Sequence, residues 1–120
     1  MDLNFSKEDQ DFQSEVREFL DNEYPKHIKA KMDNGDDLTR DEIVEWHKVV
    51  AKKGWMGHSW PVEYGGTGWD ATKRYIYLRE LALEGCPMFI PFGLQMVAPV
   101  IYTFGSQEQK DKFLPRILNF

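Results

Sequence analysis

Three histidines, one cysteine, a cluster of glycines and twenty carboxylates are the side chains of this 120-residue sequence with the clearest chemical potential. His27, His47 and His58 are not spaced for a metal, because none follows a glutamate by three residues, the step that sets two ligands on one helix face in di-metal bundles. No metal site is therefore expected. His47 lies beside an apolar helical stripe and reads as a satisfied core or boundary histidine. Cys86 has no histidine or basic residue next to it that would favour a thiolate, and Pro87 follows it, so packing is its expected role. Gly66-Thr67-Gly68-Trp69-Asp70-Ala71 fits a degenerate dinucleotide fingerprint with a helix after it. Such a loop needs a buried strand in front, and Trp60-Pro61-Val62-Glu63-Tyr64 carries a proline and a charge, so a tight structural turn is the better reading. Gln95 is the polar outlier of a long apolar segment, and as a buried amide it must find a partner in backbone, water or ligand. The carboxylates are concentrated on the first and third helices, on their polar faces, and read as solvated surface. Nowhere do a nucleophile, a positioned base and an oxyanion site come together, so no catalytic residue is expected in the chain.

The elements that hold these residues are helical. Ser6, with Asp9 three residues on, predicts a helix start, followed by Phe12, Val16, Phe19 and Leu20 at helical spacing. Tyr24-Pro25 stops this helix, Pro25 opens a short second one, and Asn34-Gly35-Asp36-Asp37 is a turn. Thr39 or Asp41 begins a third helix carrying Ile43, Trp46, His47, Val50 and Ala51, closed by Lys52-Lys53 before Gly54. From Gly54 to Trp69 an ordered loop rich in aromatic anchors is expected. Asp70 caps a helix with Tyr75, Leu78 and Ala82 on one face, ending near Gly85-Cys86-Pro87. Ile90, Leu94, Val97 and Ile101 then mark a helix that is apolar all round, which predicts burial at the centre. Ser106 and Gln109 form a capping box for a last helix with Phe113, Leu114, Ile117 and Leu118. No repeat, low-complexity tract or convincing strand is present. The expectation is all-α: one domain over residues 1–120, an orthogonal or up-down bundle of five or six helices.

Charge narrows the function classes. The net charge of −5 lies entirely before Gly54, where 14 acidic residues face 9 basic ones, against 6 and 6 afterwards. An acidic front half disfavours a nucleic-acid partner, which needs a basic patch. The stretch between Glu84 and Glu108 carries no charge, yet its prolines and Gln95 argue against a membrane span. The start, Met1-Asp2-Leu3-Asn4-Phe5, lacks the basic-then-apolar pattern of a secretory signal, so the chain is expected to belong to the fold from its first residue. One cysteine cannot form an internal disulfide, and a cytoplasmic location is expected.

Four segments, in order, resemble the N-terminal domain of the acyl-CoA dehydrogenase family. These are Phe5-Ser6-Lys7-Glu8-Asp9-Gln10-Asp11-Phe12 with Val16-Arg17-Glu18-Phe19-Leu20; Trp46 through Gly57; Trp60-Pro61-Val62-Glu63-Tyr64-Gly65-Gly66-Thr67-Gly68; and Phe104-Gly105-Ser106-Gln107-Glu108-Gln109-Lys110 running to Leu114-Pro115. The third is the most specific. Trp60-Pro61 and Leu114-Pro115-Arg116-Ile117-Leu118 are similar to bacterial members, some of which act on bulky or steroid-like acyl-CoAs.

The resemblance implies a flavoprotein oxidoreductase of fatty acid or lipid β-oxidation that converts acyl-CoA to the α,β-unsaturated enoyl-CoA. It implies three parts: this helical domain, a middle β-domain and a C-terminal helical domain, the last two absent from this chain. In the family, FAD lies between the latter two, a C-terminal glutamate removes the α-proton, and flavin N5 accepts the β-hydride. Cofactor contacts and catalytic base are therefore not assigned to any residue here, and this chain alone is expected to be inactive and flavin-free. An electron-transfer-flavoprotein-type acceptor and a homo- or hetero-oligomer are further implications. What carries over is part of the acyl pocket wall, with Phe92, Leu94, Gln95 and Met96 as substrate-pocket candidates. Ile117, Leu118, Phe120 and parts of the central helix are expected to leave an apolar face exposed for the absent domains. The alternative is a free-standing helical module that binds an acyl chain or a protein without redox chemistry.

Overall fold

A computed structural model describes residues 4–120, and among them there are six α-helices and no strand. The expectation that the chain joins the fold from its start falls, for Met1, Asp2 and Leu3, outside the described residues. The helices form two compact units, one of residues up to Leu38 with Trp69–Cys86, the other of Thr39–Gly68 with Pro87–Phe120.

The first unit holds α1 (Lys7–Glu23), α2 (Lys26–Asn34) and α4 (Ala71–Leu83). Ser6 caps α1 by accepting the Asp9 N–H at 3.1 Å, and the expected stripe of Phe12, Val16, Phe19 and Leu20 is buried. Helix α1 packs on α4, with Trp69 set edge-on between Phe12 at 4.9 Å and Tyr77 at 5.1 Å. The packing face of α4 corrects the expectation. Tyr75, Leu78 and Ala82 are exposed, whereas Ile76, Tyr77, Glu80 and Leu81 are buried. Both faces of this helix carry apolar residues, so periodicity cannot choose between them. Glu80 makes the buried stripe look polar until its partners are seen: Arg17 Nε donates to it at 2.9 Å and Gln13 Nε2 at 2.7 Å.

The second unit holds α3 (Arg40–Lys53), a single 3-10 turn (Val62–Tyr64), a π-helical segment (Phe92–Val97) that runs into α5 (Ala98–Phe104), and α6 (Gln107–Asn119). Thr39, rather than Asp41, starts α3 through a full capping box with Glu42, and Ser106 with Gln109 does the same for α6. Trp46, His47 and Val50 of α3 are buried, as are Trp55, Met56 and Trp60 of the loop that follows. Helix α6 packs against α3, α5 and the π-helical segment.

Candidate functional site

The segment expected to be one buried central helix is neither α-helical throughout nor buried. Residues 92–97 form a π-helix, in which each N–H reaches one residue further back than in an α-helix, and the Ala98 N–H accordingly donates to the Gly93 carbonyl. The longer ring rotates every later side chain relative to the α-helical spacing read from the sequence. Leu94 and Ala98 become the buried pair, and Phe92, Met96, Val97, Val100 and Phe104 are exposed. Gln95 is exposed too, so the buried amide inferred from its apolar neighbours does not exist. The apolar face expected to stay open is present along this segment, with Phe120 exposed and Ile117 and Leu118 half-buried.

Two features hold the π-helical turn. Pro99 has no N–H, and the Ala98 N–H is used by Gly93, which leaves the Leu94 carbonyl without a helical donor. The buried indole of Trp60 fills that position, its Nε1–H donating to the Leu94 carbonyl at 2.9 Å. Trp60 is fixed in turn by its own loop. The Gly66 N–H donates to the Pro61 carbonyl at 3.0 Å, and a Cβ on Gly66 would lie 1.8 Å from the Trp60 carbonyl oxygen. Tyr64 stacks on Tyr102 at 5.7 Å and its hydroxyl accepts from Lys110 Nζ at 3.2 Å, tying the loop to α5 and α6. The double glycine is thus a packed structural turn, in agreement with the sequence reading.

Of the four substrate-pocket candidates, only Leu94 faces inward. It lines a cavity of about 240 Å³ with Ile90, Gly93, Ile117, Phe120 and the single charge of the lining, Arg116. Phe92, Gln95 and Met96 lie on the solvent side of the same turn. Gly93 matters for closeness: a Cβ there would sit 3.1 Å from Ile117 Cγ2. The sequence reading singled out neither Ile90 nor Arg116 as a lining residue, and their apposition depends on the meeting of two segments 26 positions apart in numbering, from 90 to 116.

His47 anchors the approach to the turn. Its Nδ1 lies 2.7 Å from the Ile43 carbonyl, which it can only serve as a donor, so Nε2 accepts the Ile90 N–H at 3.0 Å. Burial lowers its pKa, against a raising effect of the Ile43 carbonyl. Its ring stacks on Phe120 at 4.1 Å and meets Phe89 edge-on at 5.5 Å. This is the satisfied core histidine expected from sequence. In the first unit, burial pushes the Cys86 thiol up to about 12, with Glu84 adding and Lys29 opposing, so it is held as a thiol. Among the described residues no group of three or more His, Cys, Asp or Glu is gathered to hold a metal ion, and no helix is long and apolar enough to cross a membrane. The arrangement offers apolar surface and shape, and no acid, base or nucleophile in the cavity.

Comparison with known proteins supplies the context for that surface. The chain is 44% identical over 69 residues to the acyl-CoA dehydrogenase FadE26 of Mycobacterium tuberculosis, covering 57% of this chain and 17% of that protein. The structure of the ChsE4-ChsE5 complex from Mycobacterium tuberculosis aligns with a TM-score of 0.77 and 29% identity, over 99% of this chain and 29% of that one. The structure of the Tcur3481-Tcur3483 steroid ACAD aligns with a TM-score of 0.76 and 28% identity, over 99% and 30%. The chain therefore spans less than a third of the length of these relatives. The family model described as "Acyl-CoA dehydrogenase, N-terminal domain" matches residues 6–120, and the chain belongs to that family.

Proposed function

We propose that this chain is the N-terminal helical domain of an FAD-dependent acyl-CoA dehydrogenase, an enzyme that oxidises acyl-CoA to the α,β-unsaturated enoyl-CoA, and that its part is to wall the acyl pocket. The observation that carries this reading is the exposed apolar surface of Phe92 and Met96 on a π-helical turn. Such turns are rare and concentrate at functional sites, and a thioether beside an aromatic ring suits an alkyl or ring system. Leu94 supports the turn from within, and Gln95 offers one polar contact at its surface. A bulky ring-bearing acyl group is the favoured substrate class, by analogy with the steroid ACAD neighbour. A heteromeric assembly is favoured by analogy with the ChsE4-ChsE5 complex.

The residues present do not make a site for the flavin. The glycine cluster that could cradle a pyrophosphate is filled from within the protein, Gly66 lying against the Trp60 backbone and Gly65 against the Leu118 side chain of α6, whose Cδ1 is 2.4 Å from where a Cβ would be. In this reading the middle β-domain and the C-terminal helical domain, outside this chain, hold FAD and the catalytic base. An electron-transfer-flavoprotein-type partner takes the electrons.

The test is made on the full-length protein. Purified, it should carry flavin absorbance and reduce an artificial electron acceptor when given acyl-CoA, whereas residues 1–120 alone should be colourless and inactive. A full-length protein that binds acyl-CoA without flavin or turnover would instead establish a helical binding module.

A further inference from the structure

The loop from Trp60 to Gly68 is remote in sequence from the candidate pocket wall, yet one atom of it completes the wall's hydrogen bonding. We propose that Trp60 is a positioning residue for the acyl pocket: its indole N–H holds the Leu94 carbonyl in the π-helical register that presents Phe92 and Met96, and so sets which acyl groups fit. The inference rests on the reading of this chain as a pocket-forming domain.

Donors and acceptors decide the register of the turn. In an α-helix the Leu94 carbonyl would take the Ala98 N–H, and in a continued π-helix it would take the N–H of residue 99. Ala98 donates to Gly93, and residue 99 is proline. A buried carbonyl left unpaired is unfavourable, so the π-helical turn persists only with an external donor. Trp60 Nε1, at 2.9 Å, is that donor. Its own position is secured from the other side by Gly66, whose lack of a side chain lets the two backbone strands of the loop meet, and by Tyr102, whose ring lies 6.0 Å away. Without the indole, Ala98 can shift its N–H from Gly93 to Leu94. That change restores α-helical register and rotates Phe92 and Met96 relative to the helix that follows. A side chain that never touches the substrate would thereby alter the shape of the pocket.

The experiment uses the full-length protein and the variants Trp60→Phe, Pro99→Ala and the two combined. Phenylalanine keeps an aromatic ring in place and removes the donor, while alanine at 99 returns an N–H that can close the ring on Leu94. Two readouts are taken: KM and kcat for a short and a bulky acyl-CoA, and amide hydrogen exchange of residues 93–98. Trp60→Phe should change the ratio of the two KM values by about tenfold, the low end of what one misfitted methylene does, with a smaller change in kcat. It should also change the exchange rate at Ala98, whose N–H passes from the Gly93 to the Leu94 carbonyl, and Pro99→Ala in the same chain should reverse both effects. Unchanged KM ratio and exchange in Trp60→Phe would overturn the proposal, as would a change that Pro99→Ala does not reverse, because that would trace to lost bulk. If the wild-type protein turns over no acyl-CoA, the dehydrogenase reading falls and the pocket role with it, while exchange alone decides whether the indole holds the turn.

Discussion

His47 Nε2 accepts the backbone N–H of Ile90 at 3.0 Å, so a neutral imidazole, not an imidazolium, holds the entry to the π-helical turn. Protonation would put a hydrogen where the acceptor lone pair is needed. Because the folded pKa is lowered by burial, the stability this neutral ring contributes is whole above the ordinary value of 6.5 and is lost as the pH falls below it toward the folded value. Thermal melts should therefore show a Tm that declines as the pH falls below 6.5. His47→Gln keeps an acceptor and does not titrate, and it should flatten that part of the profile. A profile identical to wild type would refute the assignment.

Glu80 is expected to dominate the next part of the acid range. Burial raises its pKa, but the hydrogen bonds from Arg17 and Gln13 and the charges of Arg17 and Arg79 outweigh that and leave it lowered from 4.5. Stability from this carboxylate is present above 4.5 and lost as the pH falls through the folded value. Arg17→Ala should lower stability at neutral pH and shrink the loss below 4.5. Urea unfolding at several pH values reads both, and an undiminished acid loss in the variant would count against the network.

Glycines separate steric from conformational cost. Gly66→Ala places a Cβ 1.8 Å from the Trp60 carbonyl oxygen, in backbone that cannot swing aside, and should cost about 3 kcal/mol or more. Gly35→Ala meets nothing within 4 Å but sits at φ +75°, and should cost only about 1 kcal/mol. Equal losses by denaturant titration would show that the loop around Trp60 yields.

The face of α4 can be checked by a pair of truncations. Ile76 is fully buried and Ile76→Ala should cost roughly 2–5 kcal/mol. Leu78 is 46% exposed, and Leu78→Ala should stay within about 1 kcal/mol. The reverse order would restore the face read from periodicity.

What the sequence made legible follows from the range of the interactions. The α1 stripe of Phe12, Val16, Phe19 and Leu20 and the capping box at Ser106 are settled by neighbours within a turn or two, and each stands as expected, while at α3 the choice left open between Thr39 and Asp41 falls to Thr39. The α4 face was hidden because its buried carboxylate is paired by Arg17, 63 residues away. The π-helical turn was hidden for the same reason: its supporting donor, Trp60, lies 34 residues from Leu94. Pro99 was the local signal, since it removes the donor that the turn must find elsewhere. Of the pocket candidates, Leu94 was placed on an apolar stripe and is inward, while the outward positions of Phe92, Gln95 and Met96 follow from a helical period that periodic reading does not consider.

The raised pKa of Cys86 gives the chain a built-in clock. A thiol pushed up to about 12 is almost wholly protonated at neutral pH and reacts slowly with alkylating reagents while its surroundings are closed. Its backbone N–H donates to the Leu81 carbonyl at 3.0 Å, and Tyr24 donates to the adjacent Gly85 carbonyl at 3.2 Å, so these bonds hold the half-buried thiol at the end of α4 and opening of that end uncovers it further. As the sole cysteine of these 120 residues, it makes alkylation a single-site record of how often that end of the helix comes apart.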